Sequence, residues 1–170
     1  MRIRVESILE GGKSIEGTVE PSSIPLDEPC YRLAEPLTFT GRATRSGEDV
    51  YVEGTLAGSV EAQCSRCLEN FALPLDVSLD VMFVPEQESE DAEEDMFESE
   101  THRAYYSGES IDLLEQLRDI ILVNLPIKPI CRSDCKGLCP QCGADLNREP
   151  CTCERSTGPS PFDKLKDLKL

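Results

Sequence analysis

Eight of the nine cysteines in this chain fall into four close pairs, Cys64/Cys67, Cys131/Cys135, Cys139/Cys142 and Cys151/Cys153. No other feature restricts the fold so strongly. Thiolates delivered two at a time from tight turns are common ligands of tetrahedral structural zinc, and eight of them fill two sites of four. Disulfides are the competing use of so many thiols, and the compartment decides between the two. The amino terminus, Met1-Arg2-Ile3-Arg4-Val5-Glu6, alternates charged and apolar residues and lacks the apolar run of a signal peptide. No segment approaches the roughly 20 apolar residues of a membrane span. A soluble, cytoplasmic protein is therefore expected, and a reducing cytosol favours metal ligation over structural disulfides. Zinc, as one or two ions, is the expected cofactor, because iron at four thiolates usually accompanies a redox role that nothing here indicates.

The strongest single motif is Cys139-Pro140-Gln141-Cys142-Gly143, introduced by Gly137-Leu138. In a metal knuckle the amides after the first ligand turn toward its sulfur, and glycine after the second ligand permits the positive φ such a turn often needs. Cys151-Thr152-Cys153 can supply the other two ligands, although a C-x-C pair is tight enough that one of them can be spare. Cys64-Ser65-Arg66-Cys67 lies between two predicted strands, where a knuckle would also close a hairpin. Its natural partner is Cys131-Arg132-Ser133-Asp134-Cys135, with exchange of Cys135 into the other site as the competing arrangement. A site built from such distant pairs contributes folding energy directly, because the unfolded chain holds no preformed cage. Cys30 has no close partner and reads as a free, partly buried thiol.

Around the cysteines the chain alternates with period two, as half-buried antiparallel strands do. Leu37, Phe39, Gly41 and Ala43 share one face of a first segment, and Val50, Val52, Leu56, Val60 and Ala62 one face of a second. The third runs Phe71, Leu73, Leu75, Val77, Leu79, Val81 and Phe83. Arg45-Ser46-Gly47-Glu48 supplies the turn between the first two. Shorter strands are expected within Arg2–Leu9 and Ser14–Val19. Residues 86–100 contain nine acids, a self-repelling run that reads as a mobile linker, with a carboxylate metal site or a basic partner's docking surface as alternatives. A helix over about 111–124 follows, with Asp112 and Glu115 as a capping box and Leu113, Leu114, Leu117, Ile120 and Ile121 as its packing stripe. Pro126 stops it. The expected fold class is α+β: an antiparallel β-rich domain over 1–130 with one packed helix, then a cysteine-rich zinc-knuckle module over 131–155. A tail over 156–170 follows, in which Ser160-Pro161-Phe162-Asp163 resembles a helix start.

Catalysis has little to work with. The only histidine, His102, follows the acidic run with no nucleophile motif nearby and reads as a surface residue. The chain holds no Walker loop, G-x-G-x-x-G, G-x-S-x-G or H-E-x-x-H. A catalytic zinc needs an open position, which four-cysteine sites normally lack. Cys139-Pro140-Gln141-Cys142 also looks like a glutaredoxin-type dithiol, but that chemistry expects a strand–motif–helix setting, whereas Gly143 and Asp145-Leu146-Asn147 follow it here.

The order of these features resembles the bacterial YceD family, the large ribosomal RNA subunit accumulation proteins. The likeness rests on Gln63-Cys64-Ser65-Arg66-Cys67-Leu68, the acidic run, Ile111-Asp112-Leu113-Leu114 through Leu125-Pro126, and Cys131 through Gly143 with Asp145-Leu146-Asn147. Pro161-Phe162 and a Leu/Lys-rich tail complete it. The resemblance implies a role in synthesis, processing or stability of large-subunit (23S) ribosomal RNA; with no catalytic motif, a non-catalytic factor is expected, with that RNA or a large-subunit ribosomal protein as partner. Neither a membrane nor a small-molecule substrate is expected.

Charge complicates direct RNA contact. The net charge of −16 becomes −7 when the nine acids of 86–100 are set aside, still unfavourable toward phosphates. Residues 126–155 carry five bases against four acids. Nucleic-acid or partner contact would fall to Lys136, Arg148 and the tail lysines Lys164, Lys166 and Lys169. A zinc-dependent adapter that binds a basic ribosomal protein is the alternative reading, and a dithiol redox protein a further one.

Overall fold

The computed structural model describes residues 1–9, 11–26, 28–86 and 102–153. The acidic run beyond Glu86 and the tail, with Lys164, Lys166 and Lys169, lie outside the described residues. Eight strands and one α-helix, besides single 3-10 turns at Val5–Ser7 and Pro21–Ser23, are present among those described: β1 (Arg2–Arg4), β2 (Lys13–Val19), β3 (Tyr31–Arg32), β4 (Leu37–Ser46), β5 (Asp49–Gln63), β6 (Asn70–Pro85), β7 (His102–Tyr106), β8 (Ser110–Asp112) and α1 (Leu114–Asn124).

The three alternating segments form the centre of a six-stranded sheet of order β2-β4-β5-β6-β7, with β3 paired to the far end of β5. The in-phase residues face one way. Leu37, Phe39 and Ala43, then Val50, Val52, Leu56 and Val60, then Leu75 through Phe83 at every second position are buried in one core. Their neighbours Thr38, Thr40, Arg42, Glu53 and Asp80 face solvent, so one face of the sheet stays wet, as antiparallel sheets allow. Phe39 is fully buried beneath the facing glycines Gly41 and Gly54. A methyl group on Gly54 would stand 2.6 Å from the tip of the Phe39 ring.

The sheet is mixed, not purely antiparallel: β7 runs parallel to β6, from Val81↔His102 to Pro85↔Tyr106. A parallel neighbour needs a return connection of about a dozen residues or more, and segment 86–101 is long enough to provide it. The acidic run thus connects two paired strands of one sheet. A separate two-stranded ribbon, β1 with β8, pairs Ile3 with Ile111 and buries both.

That ribbon delays the helix. Ser110–Asp112 is strand and not the first turn, and α1 begins at Leu114. Asp112 still serves the helix start, its carboxylate accepting the Leu114 amide at 3.1 Å. Leu117 and Ile121 pack inward against the core, mainly toward β6. The last turn closes by Leu125 N–H donating to the Ile121 carbonyl, after which the extended Leu125 leads into Pro126.

Candidate metal centres

The long β5–β6 hairpin carries the first cysteine pair at its tip. Pairing ends at Gln63↔Asn70, and Cys64–Glu69 form the turn. The Cys64 amide donates to the Glu69 carbonyl at 2.9 Å, and the Leu68 amide to the Cys64 carbonyl at 2.9 Å, with Leu68 at φ +61. The segment leaving α1 is laid against this tip. Ser65 N–H donates to the Pro129 carbonyl at 2.8 Å, and the Tyr31 hydroxyl donates to the Pro126 carbonyl. Cys131 and Cys135 thereby face Cys64 and Cys67.

The four sulfurs of Cys64, Cys67, Cys131 and Cys135 lie within 4.8 Å of one another. Cys64–Cys135 is 3.9 Å and Cys67–Cys131 is 3.7 Å. These spacings fit the donor set to a metal. Four sulfurs bound to zinc at about 2.3 Å in a tetrahedron stand about 3.8 Å apart, whereas a disulfide brings two sulfurs to about 2.05 Å. Cys64, Cys67 and Cys135 are buried, and Phe71 packs beside them.

Cys139, Cys142, Cys151 and Cys153 form a second group on the same criterion. Cys142–Cys151 is 3.5 Å and Cys139–Cys151 is 3.4 Å, slightly tighter than the first group. The knuckle closes with Gly143 N–H donating to the Cys139 carbonyl and Cys139 N–H to the Ala144 carbonyl, and Gly143 adopts φ +75. Cys139 is buried while Cys142 and Cys153 are exposed. Cys135 joins the first group, not the second, and both cysteines of the C-x-C pair take part in the second. Cys30, half-buried, joins neither.

Ionisation is divided unevenly within each group. Burial disfavours the Cys64 thiolate, but the amides of Cys131, Cys67 and Arg66 outweigh it and bring the thiol down to about 6. Burial and the surrounding Cys64, Cys135 and Cys67 thiols push Cys131 up to about 12. At Cys67 the Glu69 amide favours the thiolate, yet burial and the Cys64 and Cys135 thiols prevail and raise it. In the second group the Cys142 and Gln141 amides, with the Cys151 thiol, lower Cys139 to about 6. Cys151 and Cys142 push Cys153 up to about 12. In each group one thiol is thus favoured as the thiolate while two others are raised, and a divalent cation at the centre would supply the charge that ionises them.

The arginines in this region serve internal contacts. The Arg148 guanidinium, expected to meet a partner, is tied to Glu69 and lies 3.4 Å from Asp145. Arg66 donates to the Cys135 carbonyl at 2.9 Å. Lys136 is exposed, and His102 lies exposed on β7. Sequence reasoning missed Asp145 and Asn147 as builders of the second loop: the Asp145 carboxylate accepts both the backbone and side-chain N–H of Asn147 at 2.9 and 2.7 Å. Their place midway between Cys142 and Cys151 was the available signal. Among the described residues no helix follows Cys139, so the helix amino terminus of a glutaredoxin-type thiol is not formed there.

A family described as large ribosomal RNA subunit accumulation protein YceD matches residues 52–169, a span that contains all eight paired cysteines. The chain belongs to the YceD family. An uncharacterized protein of Mycobacterium tuberculosis is 37% identical over 131 residues, covering 76% of this chain and 61% of the relative. A chloroplastic protein of Arabidopsis thaliana, named large ribosomal RNA subunit accumulation protein YCED homolog 1, is 27% identical over 81% of this chain and 50% of its own length. The Bacillus subtilis protein YlbN is 27% identical over 75% of this chain and 71% of its own. The chain thus spans about three-fifths of the mycobacterial relative and half of the plant one. No solved structure matches. Among the described residues no helix is long and apolar enough to cross a membrane.

Proposed function

We propose that this YceD protein is a non-catalytic cytoplasmic factor in synthesis, processing or stability of large-subunit (23S) ribosomal RNA, held in shape by two structural zinc ions. Membership of a family described by large ribosomal RNA subunit accumulation carries this reading. Cys64, Cys67, Cys131 and Cys135 would hold one ion, and Cys139, Cys142, Cys151 and Cys153 the other. Zinc at such closed sites supplies a folding constraint and no open coordination position. The chain's own residues do the rest: the hairpin tip and the post-helix segment become one surface, on which the 131–153 module is fixed.

The partner is large-subunit ribosomal RNA or a protein bound to it. A net charge of −16, with Arg148 neutralised by Glu69 and Asp145, favours the second: an acidic chain attracts a basic ribosomal protein. Lys136, and the tail lysines Lys164, Lys166 and Lys169, are the remaining candidates for phosphate contact.

Depleting the protein in its own cells tests the function. The ratio of mature large-subunit to small-subunit ribosomal RNA should fall and be restored by the parent chain but not by Cys64→Ser. An unchanged ratio would refute the assignment. Affinity capture with and without nuclease then separates the partners, since a protein partner survives digestion and an RNA tether does not.

A further inference from the structure

The two cysteine groups are not independent. Leu138 N–H, one residue before the second group begins, donates to the carbonyl of Arg66 inside the first knuckle at 3.0 Å. The Arg66 guanidinium in turn donates to the Cys135 carbonyl at 2.9 Å. Arg148, in the second loop, is tied to Glu69 at the base of the first knuckle. At the centre of these contacts sits Asn147, in the connection between Cys142 and Cys151, and its side chain reaches a sulfur of the other group. Its Nδ2 lies 3.6 Å from Cys135 Sγ, a hydrogen-bonding separation for the larger sulfur atom.

The amide has one consistent orientation. Oδ1 accepts the Lys136 backbone N–H at 2.8 Å, while Nδ2 serves two acceptors, the carboxylate Asp145 Oδ1 at 2.7 Å and the Cys135 sulfur, which metal binding makes a thiolate. Flipping it would set an oxygen against a carboxylate and a thiolate, and an NH₂ against an N–H. Aspartate in its place would add a like charge at the same two contacts. Four thiolates around one divalent ion carry two uncompensated negative charges, and N–H donors to sulfur are the means of offsetting them. In the first group Arg66 N–H, 3.5 Å from Cys64 Sγ, is one such donor.

Building on the metal reading above, we infer that Asn147 is a positioning residue for the first metal site, a side-chain donor to the Cys135 thiolate supplied by the loop of the second site. The second knuckle is therefore part of the first site's surroundings, and disturbing its loop loosens metal at the Cys64 group.

Cadmium-113 NMR of the full chain, loaded with cadmium, tests this. The parent should give two resonances, assigned because Cys64→Ser abolishes one and Cys142→Ser the other. Asn147→Ala should shift the resonance of the Cys64 group and speed cadmium transfer from that group to a competing chelator by about 10- to 100-fold. In the parent itself, which needs no substitution to fold, the Asn147 side-chain amide protons should correlate with that same cadmium through the N–H···S contact. A correlation with the other cadmium only, or none alongside an unmoved first resonance in Asn147→Ala, would overturn the inference while leaving both metal sites standing. Two sharp cadmium resonances with the chain's cysteines therefore establish the metal reading separately, and their complete absence would defeat both.

Discussion

Gly137 stands where the two knuckles press together, and replacing it measures how firmly. It adopts φ +74, and a Cβ added there would lie 2.9 Å from the Arg66 carbonyl oxygen and 3.2 Å from Arg66 Cβ. Gly143 has nearly the same φ, +75, with nothing within 4 Å. The two alanine variants therefore share one cost and differ in another. Left-handed backbone costs a non-glycine residue about 1–2 kcal/mol, of which about 0.4–1 kcal/mol is returned by the stiffer unfolded chain. Gly143→Ala should lose about 0.5–1 kcal/mol on that basis. Gly137→Ala must in addition displace a backbone carbonyl that accepts the Leu138 amide. The weakened hydrogen bond and the overlap together add about 2–3 kcal/mol. Urea unfolding of both variants at one buffered free-zinc concentration provides the comparison, because metal bound to the native state otherwise sets the apparent stability. Gly137→Ala should be the less stable of the two by at least about 1.5 kcal/mol. Equal losses would show that the Arg66 carbonyl yields freely and that the two groups are not pressed into one unit.

Other perturbations have definite outcomes. Phe39→Ala empties the space under Gly41 and Gly54 and should cost about 3–5 kcal/mol in the same unfolding assay. Burial alone would raise the Asp112 carboxyl, but the Leu114 amide and Arg2 outweigh it and hold the carboxyl below its ordinary value. Its contribution is therefore complete above the usual aspartate range of about 4 and vanishes as pH falls through the native value. With the side chain 40% exposed, solvent screens the contact, and Asp112→Asn should cost about 1 kcal/mol at neutral pH and progressively less in acid. Cys67 and Cys131 are both raised and so protonated at neutral pH, and loading the first site must expel both protons. Metal affinity should therefore fall by at least about a hundredfold per pH unit of acidification near neutrality, read by zinc competition against a chromophoric chelator.

Much of the sheet was legible because period-two alternation reports burial directly: most in-phase residues of β4, β5 and β6 fill the core, while Phe71 and Leu73, near the hairpin tip, are only half-buried. β7 and β8 were not, for physical reasons. His102-Arg103-Ala104-Tyr105-Tyr106 sits at the sheet's edge, half-buried at Ala104 and Tyr106, and gives no apolar stripe. Ser110–Asp112 is strand only because β1 lies beside it, a contact between residues more than a hundred positions apart. The helix start shifted for the same reason. At the cysteines, spacing suggested the pairs, and the hairpin explains why the distant pair meets Cys64 and Cys67: the tip of β5–β6 and the Pro126–Pro129 segment are joined at Ser65. Arg148 was read as a partner contact and the Asn147 side chain was given no role, because what each does depends on Glu69 and Cys135, which only folding brings near.

Metal content, measured on purified full-length protein by mass spectrometry under native conditions, bears most directly on all of this. Two zinc ions per chain are expected, falling to one in Cys64→Ser and to one in Cys142→Ser. A parent chain that folds with no bound metal, or a single ion lost in both variants, would contradict two sites of four sulfurs each.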